Sequence, residues 1–135
     1  MRFFNNSSVT EAVTLGGQIN AQNGNVLLSA ISEDIINMTA KSLAGGIASL
    51  GTTIALAETN NHTTASLGSG VIAKNLDIEA INSSTLSSSM EAGNVSLASA
   101  NALINKAESN SLTEALINAT GKQIQLSGDL NMKTA

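Results

Sequence analysis

The feature that most constrains this chain is an internal repeat. Displaced by 50 positions, residues 26–67 align with 76–117 without a gap, and ten of the 42 pairs are identical. They include Ala30 with Ala80, Ile31 with Ile81, Ala48-Ser49 with Ala98-Ser99, Ile54 with Ile104, and Thr63 and Ala65 with Thr113 and Ala115. Five further pairs exchange one aliphatic for another: Val26 with Leu76, Leu28 with Ile78, Ile36 with Leu86, Ile47 with Leu97 and Leu67 with Ile117. Interior volume is kept while surface residues drift, as when one supersecondary unit is copied and each copy covers its neighbour's apolar face. Partial copies flank the pair: Ser8-Val9-Thr10-Glu11-Ala12-Val13 reads like Ser111-Leu112-Thr113-Glu114-Ala115-Leu116, and another repeat opens at Ile124. The chain thus reads as one segment, 1–135, made of a partial repeat 1–25, repeats 26–75 and 76–123, and a partial repeat 124–135. Opening and closing in mid-repeat, it reads as part of a longer array.

Within each copy the clearest period is two. Val26, Leu28 and Ala30 alternate with Leu27 and Ser29, and Leu76, Ile78 and Ala80 alternate with Asp77 and Glu79. Such alternation sends one set of side chains inward from a strand and the other outward. Gly16-Gly17, Gly45-Gly46, Gly51, Gly68 and Gly70, with the Asn pairs at 5 and 60, offer turn chemistry between these runs. A helix over 87–119 would place Leu97, Ala100, Ile104 and Ala107 on one face. The matching stretch 37–67, however, carries three glycines and Thr52-Thr53-Ile54, which is poor helix material. One repeat should have one structure, so the expectation is all-β.

Phe3 and Phe4 are the only aromatic residues. The interior must therefore be narrow enough for Val, Ile, Leu and Ala to fill. The net charge of −4 and 12% charged residues leave no basic surface for a phosphate backbone, which argues against nucleic acid as a partner. Absence of cysteine excludes a disulfide framework and thiolate metal sites. No run of ~18 apolar residues is present for a transmembrane segment, and the residues after Met1 lack a signal-peptide core, so the piece carries no signal peptide of its own.

The run Ser42-Leu43-Ala44-Gly45-Gly46-Ile47-Ala48, continuing through Gly51-Thr52-Thr53-Ile54-Ala55-Leu56-Ala57 to Asn60-Asn61-His62-Thr63-Thr64-Ala65, resembles the repeat of leukotoxin-like filamentous adhesins. These are long, haemagglutinin-type exoproteins of Gram-negative bacteria. The second copy departs from the pattern where Val95-Ser96 replace Gly45-Gly46. The resemblance implies a right-handed parallel β-helix (β-solenoid) of ~50-residue repeats, secreted to the bacterial cell surface through a dedicated outer-membrane partner and used in attachment. The partners it implies are neighbouring repeats of the same chain and a host or bacterial cell-surface receptor. It carries over no catalytic, cofactor-binding or metal-ligating residue, and no cofactor is expected.

The residues offer few chemical candidates of their own. Asp77 and Glu79, at i and i+2 on a strand, would face the same way with carboxylates roughly 6 to 7 Å apart, near the spacing of glycoside hydrolases. The aligned positions are Leu27-Ser29 and Gln125-Ser127, and no aromatic stands by to stack a sugar. A solvated outer face is the better reading, and a β-helical polysaccharide hydrolase or lyase the alternative. His62, the single histidine, reads as a turn residue, and Glu33-Asp34 as a charged turn without the nonapeptide of calcium-binding solenoids. The seven N-x-[ST] sequons follow from the abundance of Asn, Ser and Thr.

Two geometric expectations complete the reading. A single 50-residue coil would fit these small residues only if flattened into two close sheets, so two coils per repeat are expected. Val26, Leu76 and Ile124 would then form one inward ladder with steps of about 9 to 10 Å, twice the strand spacing. A chain cut from such an array exposes unpaired edges and is expected to self-associate end to end.

Overall fold

The computed structural model describes residues 2–135, with the side chains at 2, 42, 44, 45, 48–50 and 94–101 outside that description. The side chains of the matched pairs Ala48-Ser49 and Ala98-Ser99, and of Val95, Ser96 and Leu97, therefore lie outside the described residues.

Seven strands, and no helix among the described residues, follow in chain order: β1 (Arg2–Thr14), β2 (Gln18–Asn20), β3 (Asn25–Leu67), β4 (Gly70–Ala73), β5 (Asn75–Ile117), β6 (Ile124–Leu126) and β7 (Leu130–Thr134). They form a four-stranded sheet, β1-β3-β5-β7, and a three-stranded sheet, β2-β4-β6. The registered pairs are parallel: Ile19↔Val71 and Asn20↔Ile72, then Val71↔Ile124 and Ala73↔Leu126, and in the larger sheet Leu76↔Leu130 through Ala80↔Thr134. Every neighbour in these sheets is about one repeat away in sequence, so the strands stack as in a parallel β-solenoid. The strand bounds repeat the alignment: β3 and β5 each hold 43 residues and begin and end 50 positions apart.

By contact the chain resolves into two compact units. The first comprises Met1–Ser7, Asp34–Asn60 and Ser84–Asn110. Strands as long as β3 exceed the usual 3–10 residues because the segment doubles back on itself. Ile36, Met38 and Ala40 of the outgoing limb pack against Ala55 and Ala57 of the returning limb, with Leu86 and Met90 beside them. Gly46, between the limbs, has φ 135°, a backbone setting that glycine adopts readily. The corresponding limbs of β5 are linked by Asn105 Nδ2 donating to the Ser88 carbonyl at 2.9 Å.

The second unit comprises Ser8–Glu33, Asn61–Ser83 and Ser111–Ala135. Its core is Ala30, Ala65, Leu67, Val71, Ala73, Leu76, Ile78 and Ala80, flanked by Val26, Leu28, Ile19, Ile124 and Leu126. Leu76, Ile78 and Ala80 are 0 to 1% exposed while Asp77 and Glu79 between them are only half-buried, as the alternation predicts. The corners are sewn by backbone. Gly68 N–H donates to Thr14 O at 2.8 Å, Asn118 N–H to Leu67 O at 2.8 Å, and the buried Ser69 hydroxyl to Gly16 O at 2.7 Å. A Cβ on Gly68 would collide with the Thr14 carbonyl oxygen, so this corner requires glycine.

Several expectations need correction. Each repeat makes one coil, not two: Asn25 with Asn75, Ser29 with Glu79, Thr39 with Ser89 and Lys41 with Glu91 are side-chain partners 50 residues apart. Aliphatic side chains of opposite limbs meet in the interior, and Ser32, Thr53, Thr59, Asn61, Thr63, Thr64 and Ser69 are buried as well. Ile124 does not continue the Leu76 ladder either. It pairs with Val71, and Leu76 pairs with Leu130. The cause is a longer connection: 118–123 separates β5 from β6, where only 68–69 separates β3 from β4. Asn5-Asn6, Asn60-Asn61, Glu33-Asp34 and His62 all lie inside strands, not turns, whereas Gly45-Gly46 and Gly51 lie between the two limbs of β3. In a stacked ladder an Asn can satisfy its amide on the coil above or below, so Asn within a strand does not mark a turn there.

Candidate functional site

The outward face of β5 was the most pointed chemical candidate, and its geometry follows from the register. Asp77 stands beside Asn131 and Glu79 beside Lys133 on the β7 side. Asp77 Oδ1 accepts from Asn131 Nδ2 at 2.8 Å, and Glu79 Oε1 accepts from Ser29 Oγ at 2.8 Å. The two carboxylates are thus bonded in opposite directions along the stack, one to the following coil and one to the preceding coil. The neighbours on the far side are Asn131 and Lys133 in place of Gln125 and Ser127, because of the longer 118–123 connection. Lys133 is a base that sequence proximity does not reveal, since it lies 54 residues from Glu79 and only the register brings it there.

His62 Nε2 lies 2.8 Å from Glu114 Oε2, both side chains being about two-fifths exposed. The pairing joins β3 to β5. Asp34 Oδ1 accepts from Asn6 Nδ2 at 3.2 Å, and Glu33 is exposed. The candidates are therefore dispersed along the ladders: His62, Asp34 and the Asp77/Glu79 pair each engage a neighbouring coil. Among the described residues no group of three or more His, Cys, Asp or Glu could hold a metal ion. Among the same residues no helix is long and apolar enough to cross a membrane, which leaves β-barrels unaddressed.

One exposed ion pair adds to the coil contacts and a second lies within β5. Lys41 Nζ reaches Glu91 Oε2 at 2.7 Å, and Lys106 pairs with Glu108 two residues on. The hydrogen bond from Lys41, and then its charge, holds the Glu91 carboxyl below the usual glutamate range and raises the Lys41 ammonium in return. Lys106 lowers Glu108 by the same two causes in the same order.

One surface depression was not legible in the sequence. Gln22, Asn23, Ile72, Ala73, Gln125, Leu126 and Ser127 line a groove of about 220 Å³ on the second unit. No motif marks it, because it arises from a difference in corner length between coils. Compared with models of protein families, with curated proteins and with solved structures, the chain has no match.

Proposed function

We propose that this chain is a non-enzymatic structural and adhesive repeat segment of a large secreted bacterial surface adhesin of the haemagglutinin or leukotoxin-like type. The observation that carries the proposal is the use of outward polar side chains. Asn25 with Asn75, Thr39 with Ser89, Ser29 with Glu79 and Asn131 with Asp77 bond from coil to coil along the stack. Polar groups used in this way hold a shaft together, and the same ladders present a polar surface for distributed contacts with a receptor. Asp77 and Glu79 belong to these ladders, so the pair most suited to sugar hydrolysis serves cohesion instead. The partners of the proposal are neighbouring repeats, a receptor on host or bacterial cells, and an outer-membrane transporter for the parent protein.

The test has two arms. Beads coated with the chain should attach to host or bacterial cells above the level of uncoated beads. The chain should give no turnover on plant, host or bacterial polysaccharides. Hydrolysis or lysis that disappears in Asp77→Asn and Glu79→Gln would replace the adhesive reading by that of a polysaccharide-cleaving enzyme, and beads that never attach would remove the adhesive half of the proposal.

A further inference from the structure

Three corners of the second unit differ in length. Between β2 and β3 the chain spends four residues, Ala21 to Gly24, closed by Gly24 N–H donating to Ala21 O and with Gln22 at φ 43°. Between β4 and β5 it spends one, Lys74, and between β6 and β7 three, Ser127 to Asp129. The middle coil is therefore cut short between two longer corners. The recess so formed has Ile72 and Ala73 below, Gln22 and Asn23 on one wall, and Gln125 and Ser127 on the other. Ile72 faces outward in register between Asn20 and Gln125, while its neighbours Val71 and Ala73 are buried.

We propose that this recess is a binding site for one ring of a neutral saccharide. The walls carry three carboxamides and a hydroxyl, which together donate and accept and so match sugar hydroxyls of either role. The exposed part of Ile72 gives the apolar C–H face of a ring a surface to leave water against. None of the lining residues bears a charge, so an anionic or cationic ligand would find no counter-ion within the groove. At about 220 Å³ it falls below the ~300–1,000 Å³ of pockets that hold drug-sized ligands, which limits it to a single ring or a chain terminus. The backbone of the walls is fixed without a ligand: Ser127 N–H donates to Ala73 O, Gly128 N–H to Lys74 O and Lys74 N–H to Gly24 O. A preformed site loses little freedom on binding. The assignment rests on the adhesive reading only for its biological setting, since it supplies the chemical class of receptor.

The test is a titration of the isotopically labelled chain with lactose, maltotriose and chitotriose, with a sialylated trisaccharide as the charged comparator, followed by amide shifts. At least one neutral sugar should move the amides of 22–23, 72–73 and 125–127 and saturate with a Kd on the order of 1 mM. Asn23→Ala with Gln125→Ala, at two exposed positions, should weaken it by about tenfold or more. Ser127→Arg, which fills the recess from an exposed position, should abolish the shifts while the remainder of the spectrum stays native. No shift with any neutral sugar, shifts that survive Ser127→Arg, or tighter binding of the sialylated comparator would each overturn the assignment. Coated beads that adhere while the groove stays silent would retain the proposed function and dismiss the groove alone.

Discussion

Replacing Ile78 by Ala tests the phase of the β5 ladder against its immediate neighbour Glu79. Ile78 is 1% exposed in the core that includes Leu76 and Ala80. Truncation of a buried Ile costs about 2–5 kcal/mol, the upper part applying where surrounding groups cannot collapse into the space. Here they are held by parallel ladders on both sides, and Ala80 and Ala30 are too small to reach across, so a loss of about 3–4 kcal/mol is expected. Glu79→Ala removes one hydrogen bond, from Ser29 Oγ at 2.8 Å, on a half-buried face. That loss is about 1 kcal/mol or less. With no Trp or Tyr in the chain, urea unfolding is best followed by far-ultraviolet circular dichroism. The midpoint should fall at least twice as far for Ile78→Ala as for Glu79→Ala. Equal losses, or a larger one for Glu79→Ala, would refute the inward assignment of Ile78.

Three other perturbations probe different parts of the stack. Gly68→Ala forces a Cβ onto the Thr14 carbonyl oxygen and should cost about 1–3 kcal/mol, read as a lowered urea midpoint; an unchanged midpoint would show that the corner can shift. Asn75→Ala removes both the bond from Asn75 Nδ2 to Asn25 Oδ1 at 3.0 Å and that from the Asp129 N–H to Asn75 Oδ1 at 2.9 Å, for a loss of about 1–3 kcal/mol. Glu91, held low by Lys41, favours the folded state above the unfolded glutamate pKa, and that contribution disappears as pH falls through its lower folded value. Lys41, held high, favours folding below the unfolded lysine pKa and loses this as pH rises through its raised value, so both contributions coexist at neutral pH. A titration of the Glu91 carboxyl by carbon-13 shifts should move upward in Lys41→Met, and no movement would mean the pair is not formed in solution.

Much of the fold was legible because core spacing survives substitution. The alternation of Leu76, Ile78 and Ala80 with Asp77 and Glu79 sets which side chains are buried, and the gapless alignment to Leu67 and Ile117 coincides with the ends of β3 and β5. The coil count was not legible. Small interior residues are compatible with two narrow coils or one flattened coil, and the choice depends on Ile36, Met38 and Ala40 folding back onto Ala55 and Ala57. Local composition does not encode that long-range contact. The same holds for the register at Ile124, which moves with the length of 118–123, and for Lys133 beside Glu79. His62 and the Asn pairs misread as turns because their partners, such as Glu114 for His62 and Ser8 for Asn61, lie on adjacent coils. The groove depends on a four-residue corner, a one-residue corner and a three-residue corner being neighbours, which no motif spells out.

The central claim is that each repeat closes one coil, with Asp77 directly beside Asn131. The chain has no cysteine, so introduced pairs report without interference. A disulfide needs Cα atoms within about 4.4–6.8 Å, and adjacent strands lie about 4.7–4.9 Å apart, whereas a second intervening coil would separate the same positions by about 9–10 Å. Mild oxidation of the double variant Asp77→Cys, Asn131→Cys should therefore give an intramolecular disulfide in the folded chain, seen by mass spectrometry after alkylation. Asp77→Cys, Gln125→Cys should remain reduced, because Gln125 is registered with Ile72. Cross-linking of the Gln125 pair and not of the Asn131 pair would contradict the register, and failure of the Asn131 pair in a natively folded chain would contradict the single coil.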